Sequence, residues 1–192
     1  MKGFNIFLAD GFEDIEALAP CDVLRRAGET VRLVSLNSEL SVRSSHGVRV
    51  EADCLLDECD FSCDGLTSMD FMIFPGGMPG SRTLASCGQL ISAMREHYAS
   101  GGYVAAICAA PGLVLSQLDS LEGHELTCFD GFEDGIVARG GRFVRRAACR
   151  SGRIVTGRSA GFAFDFGLAV LETACGSEIF LKVRSQICLV TE

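Results

Sequence analysis

Cys108 closes the short apolar run Gly102-Tyr-Val-Ala-Ala-Ile107, and small residues stand two positions to either side of it, Ala106 and Ala110. Small residue, x, nucleophile, x, small residue is a relaxed form of the turn that holds a nucleophile out above a sheet edge, because only small neighbours let the strand pass close to the helix it enters. Backbone N–H groups of the new helix would then lie beside the sulfur and favour thiolate over thiol. A second apolar run, Phe71 to Phe74, stops at Pro75, Gly76 and Gly77, and the N–H groups of the two glycines are placed to point at the same spot. A carboxylic acid near a thiol can pass it a proton and later act as general acid or base. Glu13 and Glu16, three residues apart after the first apolar run, share one face of a predicted helix, and either could reach the sulfur.

These loops need strands to carry them. Apolar runs bounded by Gly or Pro suit strands buried on both faces of a parallel sheet. The pattern predicts strands over 2–9, 31–36, 69–75 and 102–108, a hairpin over 41–53 with His46-Gly47 at its tip, and shorter strands over 125–129, 142–148 and 153–156, the last two separated by the turn Ser151-Gly152. Helices are expected after Gly11, with Ile15, Leu18, Ala19, Val23 and Leu24 as apolar face and Pro20 as a kink or restart, then over 81–99, 111–121, 159–174 and 177–189, with Gly176 between the last two. Residues 57–68 read as a loop or short helix. Strand–helix alternation of this kind gives a doubly wound α/β fold, in which ligands bind outside the carboxyl ends of the strands. The loops at 10–16, 75–80 and 108–111 satisfy that rule. Residues 1–192 are expected to form a single domain, with no repeat or linker.

The net charge of -8, without basic clusters, argues against nucleic acid or an anionic membrane as partner, and no apolar run is long enough to span a bilayer. A cytoplasmic protein is expected. Ten cysteines do not make this a disulfide scaffold. Cys21, Cys128, Cys175 and Cys188 fall in apolar runs and read as small buried hydrophobes. Cys54, Cys59 and Cys63 crowd one polar segment at spacings that match no zinc pattern, so no metal site is expected there. His97 and His124 read as surface residues, and Asp22 as a helix residue pairing with a nearby Arg.

Four motifs, in order, carry a resemblance: Asp10-Gly-Phe-Glu-Asp-Ile-Glu16, Phe74-Pro-Gly-Gly-Met-Pro-Gly80, Ala105-Ala-Ile-Cys-Ala-Ala-Pro111 and Thr156-Gly-Arg-Ser-Ala-Gly161. Together they resemble the ThiJ/PfpI family over essentially the whole chain, and its ThiJ/YajL-like branch more than its protease branch. The resemblance implies a flavodoxin-like, mostly parallel sheet with helices on both faces, and a homodimer. It implies the thiolate at Cys108, a protonated partner at Glu16, with Glu13 as fallback, and oxyanion donors at the N–H groups of Gly77 and Ala109. Gly76, His46 and Arg158 are further pocket candidates: His46 because the corresponding hairpin approaches the site across the dimer in relatives, Arg158 as a pocket residue or a structural ion pair. Two departures matter. Many relatives place a His near position 129, where this chain has Phe129, and protease members have a His directly after the nucleophile, where this chain has Ala109. Both argue against peptidase chemistry. The expectation is an enzyme acting on small reactive carbonyls or glycated groups without metal or organic cofactor, with a redox sensor or chaperone using Cys108 oxidation as the rival.

Overall fold

The structure is a computed structural model and describes residues 1–189. In chain order the principal elements are β1 Phe4–Leu8, α1 Asp14–Arg26, β2 Val31–Ser35, β3 Ser41–Arg43, β4 Arg49–Glu51, β5 Cys54–Leu55, β6 Phe71–Phe74, α2 Gly80–Ser86, α3 Gly88–Ala99, β7 Tyr103–Ile107, α4 Ala110–Leu113, β8 Glu125–Leu126, α5 Glu133–Ala138, β9 Arg142–Phe143, β10 Ala148–Ser151, β11 Ile154–Gly157 and α6 Ala163–Gln186. The main sheet runs β10-β11-β7-β6-β1-β2-β5. All its pairings are parallel except β10 with β11. This is a flavodoxin-like arrangement. Because β7, β6 and β1 are neighbours, the three loops at their carboxyl ends lie side by side.

The central strands are buried along their whole length, as continuous apolar runs require. Alternation divides them between two cores. Phe4, Ile6 and Leu8 join the core that contains residues of α1 and α6, while Phe7 and Ala9 face the one that contains residues of α3 and α4. Phe4 stacks on Phe71 at 5.6 Å and Phe7 on Phe74 at 5.4 Å, so aromatic pairs lock β1 to β6 on both faces.

Several expectations are corrected. Residues 81–99 form two helices, because the chain leaves helical geometry at Cys87 (ψ 96°). The expected helix over 111–121 is the four-residue α4 followed by a 3-10 turn at Leu115–Gln117. The expected strand over 142–148 divides into β9, which pairs with β8, and the start of β10; helix α5 was not foreseen. The α1 helix continues through Pro20 without a restart, and Ile15 and Leu18 are 49% and 36% exposed rather than part of its buried face, which Glu16, Ala17, Pro20 and Cys21 complete. The hairpin at 41–53 and the break at Gly176 (φ 81°) occur as expected. Asp22 pairs with Arg26 at 2.6 Å. Cys188 is exposed, just beyond the end of α6, and Cys175, next to the Gly176 break, is half-buried; Cys21 and Cys128 are buried.

His97 is buried, not on the surface. It continues the inward stripe of Leu90 and Met94 at helical spacing, and the absence of a side chain at Gly102 leaves room for its ring. Nε2 lies 3.1 Å from the Asp70 carbonyl and 3.2 Å from that of Tyr103, so it carries the proton and donates, while Nδ1 is buried without a partner. Burial is the main reason that its pKa is lowered to about 4. The unfolded chain therefore takes up a proton that the folded one refuses. Stability is expected to be complete above pH ~6.5 and to fall as pH drops toward ~4, by up to ~3 kcal/mol. Thermal melts of the native protein and His97→Gln across this range check it, the variant losing most of that slope.

Candidate active site

Cys108 is the residue at which β7 turns into α4. Its φ of 64° lies in the left-handed region, uncommon for a side chain of this kind. Two backbone hydrogen bonds hold it there: its N–H donates to the Gly157 carbonyl at 3.0 Å, and its own carbonyl accepts the Phe129 N–H at 2.8 Å. The expected strand-to-helix elbow is thus present, anchored by β11 on one side and the segment after β8 on the other. Its Sγ is approached by the N–H groups of Ala109 and Gly77.

Glu16, the third residue of α1, reaches the same sulfur. It is 1% exposed, hydrogen-bonds with the Cys108 thiol and accepts the Gly76 N–H at 3.0 Å and the Ala160 N–H. Burial, reinforced by the negative charge of Glu13, raises its pKa to about 7. Glu13 itself is the cap of α1: its Oε2 accepts the Glu16 N–H at 2.8 Å, and its own N–H donates to Gly76 O at 3.0 Å. Of the two candidate acids, Glu16 meets the sulfur and Glu13 holds the helix end that carries it.

The thiol does not follow the expectation that a helix end alone makes it acidic. Burial, the Glu16 charge and the hydrogen bond to Glu16 push Cys108 up to about 12, against which the Ala109 and Gly77 N–H groups pull down. The physical reason is that burial and direct contact with the carboxylate outweigh the N–H groups of a helix that has only one turn and little dipole. The two groups therefore titrate as a pair: the first proton is lost near 7, and above that the remaining one is held between carboxylate and sulfur. With that proton on Glu16, its charge no longer opposes the thiolate and the carboxyl becomes a donor to sulfur.

Gly76 makes this contact geometrically possible. A Cβ there would stand 2.3 Å from Glu16 Oε2 and 2.5 Å from Cys108 Cβ. Gly76→Ala is expected to force the pair apart, destabilising the fold by about 1–3 kcal/mol and abolishing reactivity at Cys108. Thermal melts together with alkylation of Cys108 check both effects. Gly77 is needed for its backbone, with φ 92° and no space for a side chain between Glu13 N and Gly11 O.

The remaining candidates sit around this centre. His46 is at the exposed hairpin tip, its Nδ1 2.8 Å from Asp14 Oδ2 and 3.9 Å from Glu13 Oε1, and the Asp14 hydrogen bond raises its pKa. It faces the start of α1 in its own chain. Among the described residues, Glu13, Asp14 and His46 are the group whose ligand atoms come close enough to hold a cation, but Glu13 Oε2 already caps α1 and Asp14 Oδ1 accepts the Ser44 hydroxyl at 2.6 Å. Arg158 is held by Asp130 at 3.1 and 3.2 Å, the ion-pair alternative of the two expected. Phe129 meets the elbow through its backbone while its ring is 48% exposed and edge-on to Phe132, so no side chain there completes a triad. His124 is half-buried between Ser151 and Tyr98 rather than free on the surface. The contribution of Ala160, a backbone donor ahead of α6, was not foreseen. Its place inside the Thr156–Gly161 motif was the available signal.

The model of the DJ-1/PfpI family matches residues 4–173. The chain belongs to the DJ-1/PfpI family. It is 34% identical to protein DJ-1 homolog A of Arabidopsis thaliana over 188 residues, 98% of this chain and 47% of that protein, so it spans about half the length of that relative. It is 29% identical to glutathione-independent glyoxalase DJR-1.2 of Caenorhabditis elegans over 177 residues, covering 92% of this chain and 90% of that one. Among solved structures, DJ-1beta of Drosophila melanogaster superposes with a TM-score of 0.87 at 29% identity, covering 100% of this chain and 99% of the other. Oxidised DJ-1 of Toxoplasma gondii superposes with a TM-score of 0.85 at 30% identity, covering 98% of each chain. No helix among the described residues is long and apolar enough to cross a membrane.

Proposed function

We propose that this DJ-1/PfpI protein is a cysteine-dependent enzyme that converts small reactive dicarbonyls such as methylglyoxal to hydroxy acids without glutathione. The observation that carries the reading is the buried Glu16 carboxyl hydrogen-bonded to the Cys108 sulfur, beneath the Gly77 and Ala109 N–H groups. The thiolate adds to the aldehyde carbon, and the new oxyanion is stabilised by those N–H groups and takes the proton from Glu16. Glu16, now a carboxylate, removes the hydrogen from the former aldehyde carbon and returns it to the adjacent carbon, while the hydroxyl proton passes from the first oxygen to the second. The result is a lactoyl thioester on Cys108, which water hydrolyses to lactate and free thiol. The sequence is redox-neutral, and every proton moves through a group already at the site. The same chemistry applied to a hemithioacetal or aminocarbinol on a protein, with the protein's thiol or amine as leaving group, would be deglycation. The relative named as a glutathione-independent glyoxalase supports this reading.

Purified protein given methylglyoxal without glutathione is expected to release many equivalents of lactate per chain; none from folded, reduced protein overturns the proposal. A second reading, favoured by the same protonated carboxyl, is oxidation of Cys108 to a sulfinate that accepts a hydrogen bond from Glu16, as a stress sensor or redox-regulated chaperone. It differs in stoichiometry, with one event per chain. For assembly, the exposed apolar side chains of Ile15, Leu18 and Phe164 support pairing of two copies. A solution mass about twice 20.5 kDa is the check. A cytoplasmic location is part of the same proposal.

A further inference from the structure

The Cys54–Cys63 segment lies at the edge of the sheet, four strands from β7, and has no part in the carbonyl chemistry. Cys54 is fixed on β5, which pairs with β2 through Val34–Cys54 and Ser35–Leu55. The chain then makes a 3-10 turn over Leu56–Glu58, held by the Glu58 carboxylate on the Leu55 N–H at 2.8 Å and by the Cys59 N–H on Leu56 O at 3.1 Å. That turn brings the Cys59 sulfur to 3.9 Å from the Cys54 sulfur. Both residues are only half-buried.

We propose that Cys54 and Cys59 form a reversible disulfide, a redox site separate from Cys108. A disulfide bond of about 2 Å requires each sulfur to move by only about 1 Å, within reach of small side-chain rotations. Residues 59–70 carry no helix or strand in the structure, so Cys59 is attached to the sheet on one side only. A metal site is the weaker use of the pair, because among the described residues no third ligand atom joins the two sulfurs in a cation-sized group. The oxidant is a low-molecular-weight disulfide such as oxidised glutathione. One cysteine thiolate attacks it, forming a mixed disulfide and releasing one reduced glutathione; the second thiolate attacks the protein sulfur of that mixed disulfide and releases the other. Two protein thiols are oxidised and one glutathione disulfide is reduced. Burial and the nearby Cys54 push the Cys59 thiol up to about 12, so the exchange is expected to accelerate as pH rises.

The test exploits the sequence, since residues 50–82 contain Cys54, Cys59 and Cys63 with Arg only at the carboxyl end, and trypsin releases them as one peptide. The native chain is treated with oxidised glutathione, alkylated under denaturing conditions, digested and weighed. One alkyl group on the peptide, located at Cys63 by fragmentation, with three restored by dithiothreitol, is the expected result. Cys63→Ser should keep the crosslink, and Cys54→Ser and Cys59→Ser should each lose it. Three alkyl groups after oxidation, lasting glutathione adducts on Cys54 or Cys59, or a crosslink that includes Cys63 would each overturn the proposal.

Discussion

Cys108→Ser is expected to reduce lactate formation from methylglyoxal by ~10^3-fold or more while leaving the melting temperature close to that of the native protein. The size of the effect follows from the chemistry. Without a thiolate no hemithioacetal forms, and a serine hydroxyl has no strong base to activate it, since the ionisable side chain hydrogen-bonded at this position, Glu16, is a carboxyl group. The small effect on stability follows from the packing. Serine is slightly smaller than cysteine, position 108 is only half-buried, and the hydrogen bonds that hold its φ of 64° are made by its backbone. Turnover and melting temperature, measured on one preparation, check both parts. Near-native turnover in the variant would move the chemistry elsewhere.

Glu16→Gln is expected to separate two properties that normally travel together. Turnover should fall by ~10^2–10^4-fold, the usual contribution of a general acid–base group, because an amide can neither protonate the oxyanion nor remove the carbon-bound hydrogen. Yet Cys108 should ionise more easily. The Glu16 charge and the hydrogen bond to Glu16 both raise the thiol pKa, second only to burial, and the amide supplies a neutral N–H donor in their place. A variant that still alkylates at Cys108 but turns over poorly distinguishes loss of the proton shuttle from loss of the nucleophile. Glu13→Gln should act more weakly and indirectly, by removing a charge that raises Glu16.

The layout of the site was legible because short apolar strands ending in Gly, Pro or Cys mark buried parallel strands, and neighbouring strands bring their carboxyl-end loops together. The choice of Glu16 over Glu13 was not legible from spacing: both lie on one helix face, and only the cap geometry, with Glu13 turned back onto the Glu16 N–H, distinguishes them. The direction of the Cys108 shift is not legible because a sequence shows neither that the sulfur is buried against a carboxylate nor that the helix after it is one turn long. Ile15 and Leu18 were assigned inward because they are apolar, whereas the burial of Glu16 turns that side of α1 toward the sulfur and leaves both outside. His97 shows the converse. Its polar identity pointed outward, while its spacing from Leu90 and Met94 pointed inward, and the spacing prevailed because Gly102 leaves room for the ring.

The most direct test of the shared proton is the rate at which Cys108 alone is alkylated, followed by peptide mapping from pH 5 to 10, in the native protein and Glu16→Gln. The native rate is predicted to rise through a step near 7, where the pair loses its first proton, and that step is predicted to be absent from the variant. The same step, at the same pH, in both proteins would contradict the account, because the proton controlling Cys108 would then not reside on Glu16.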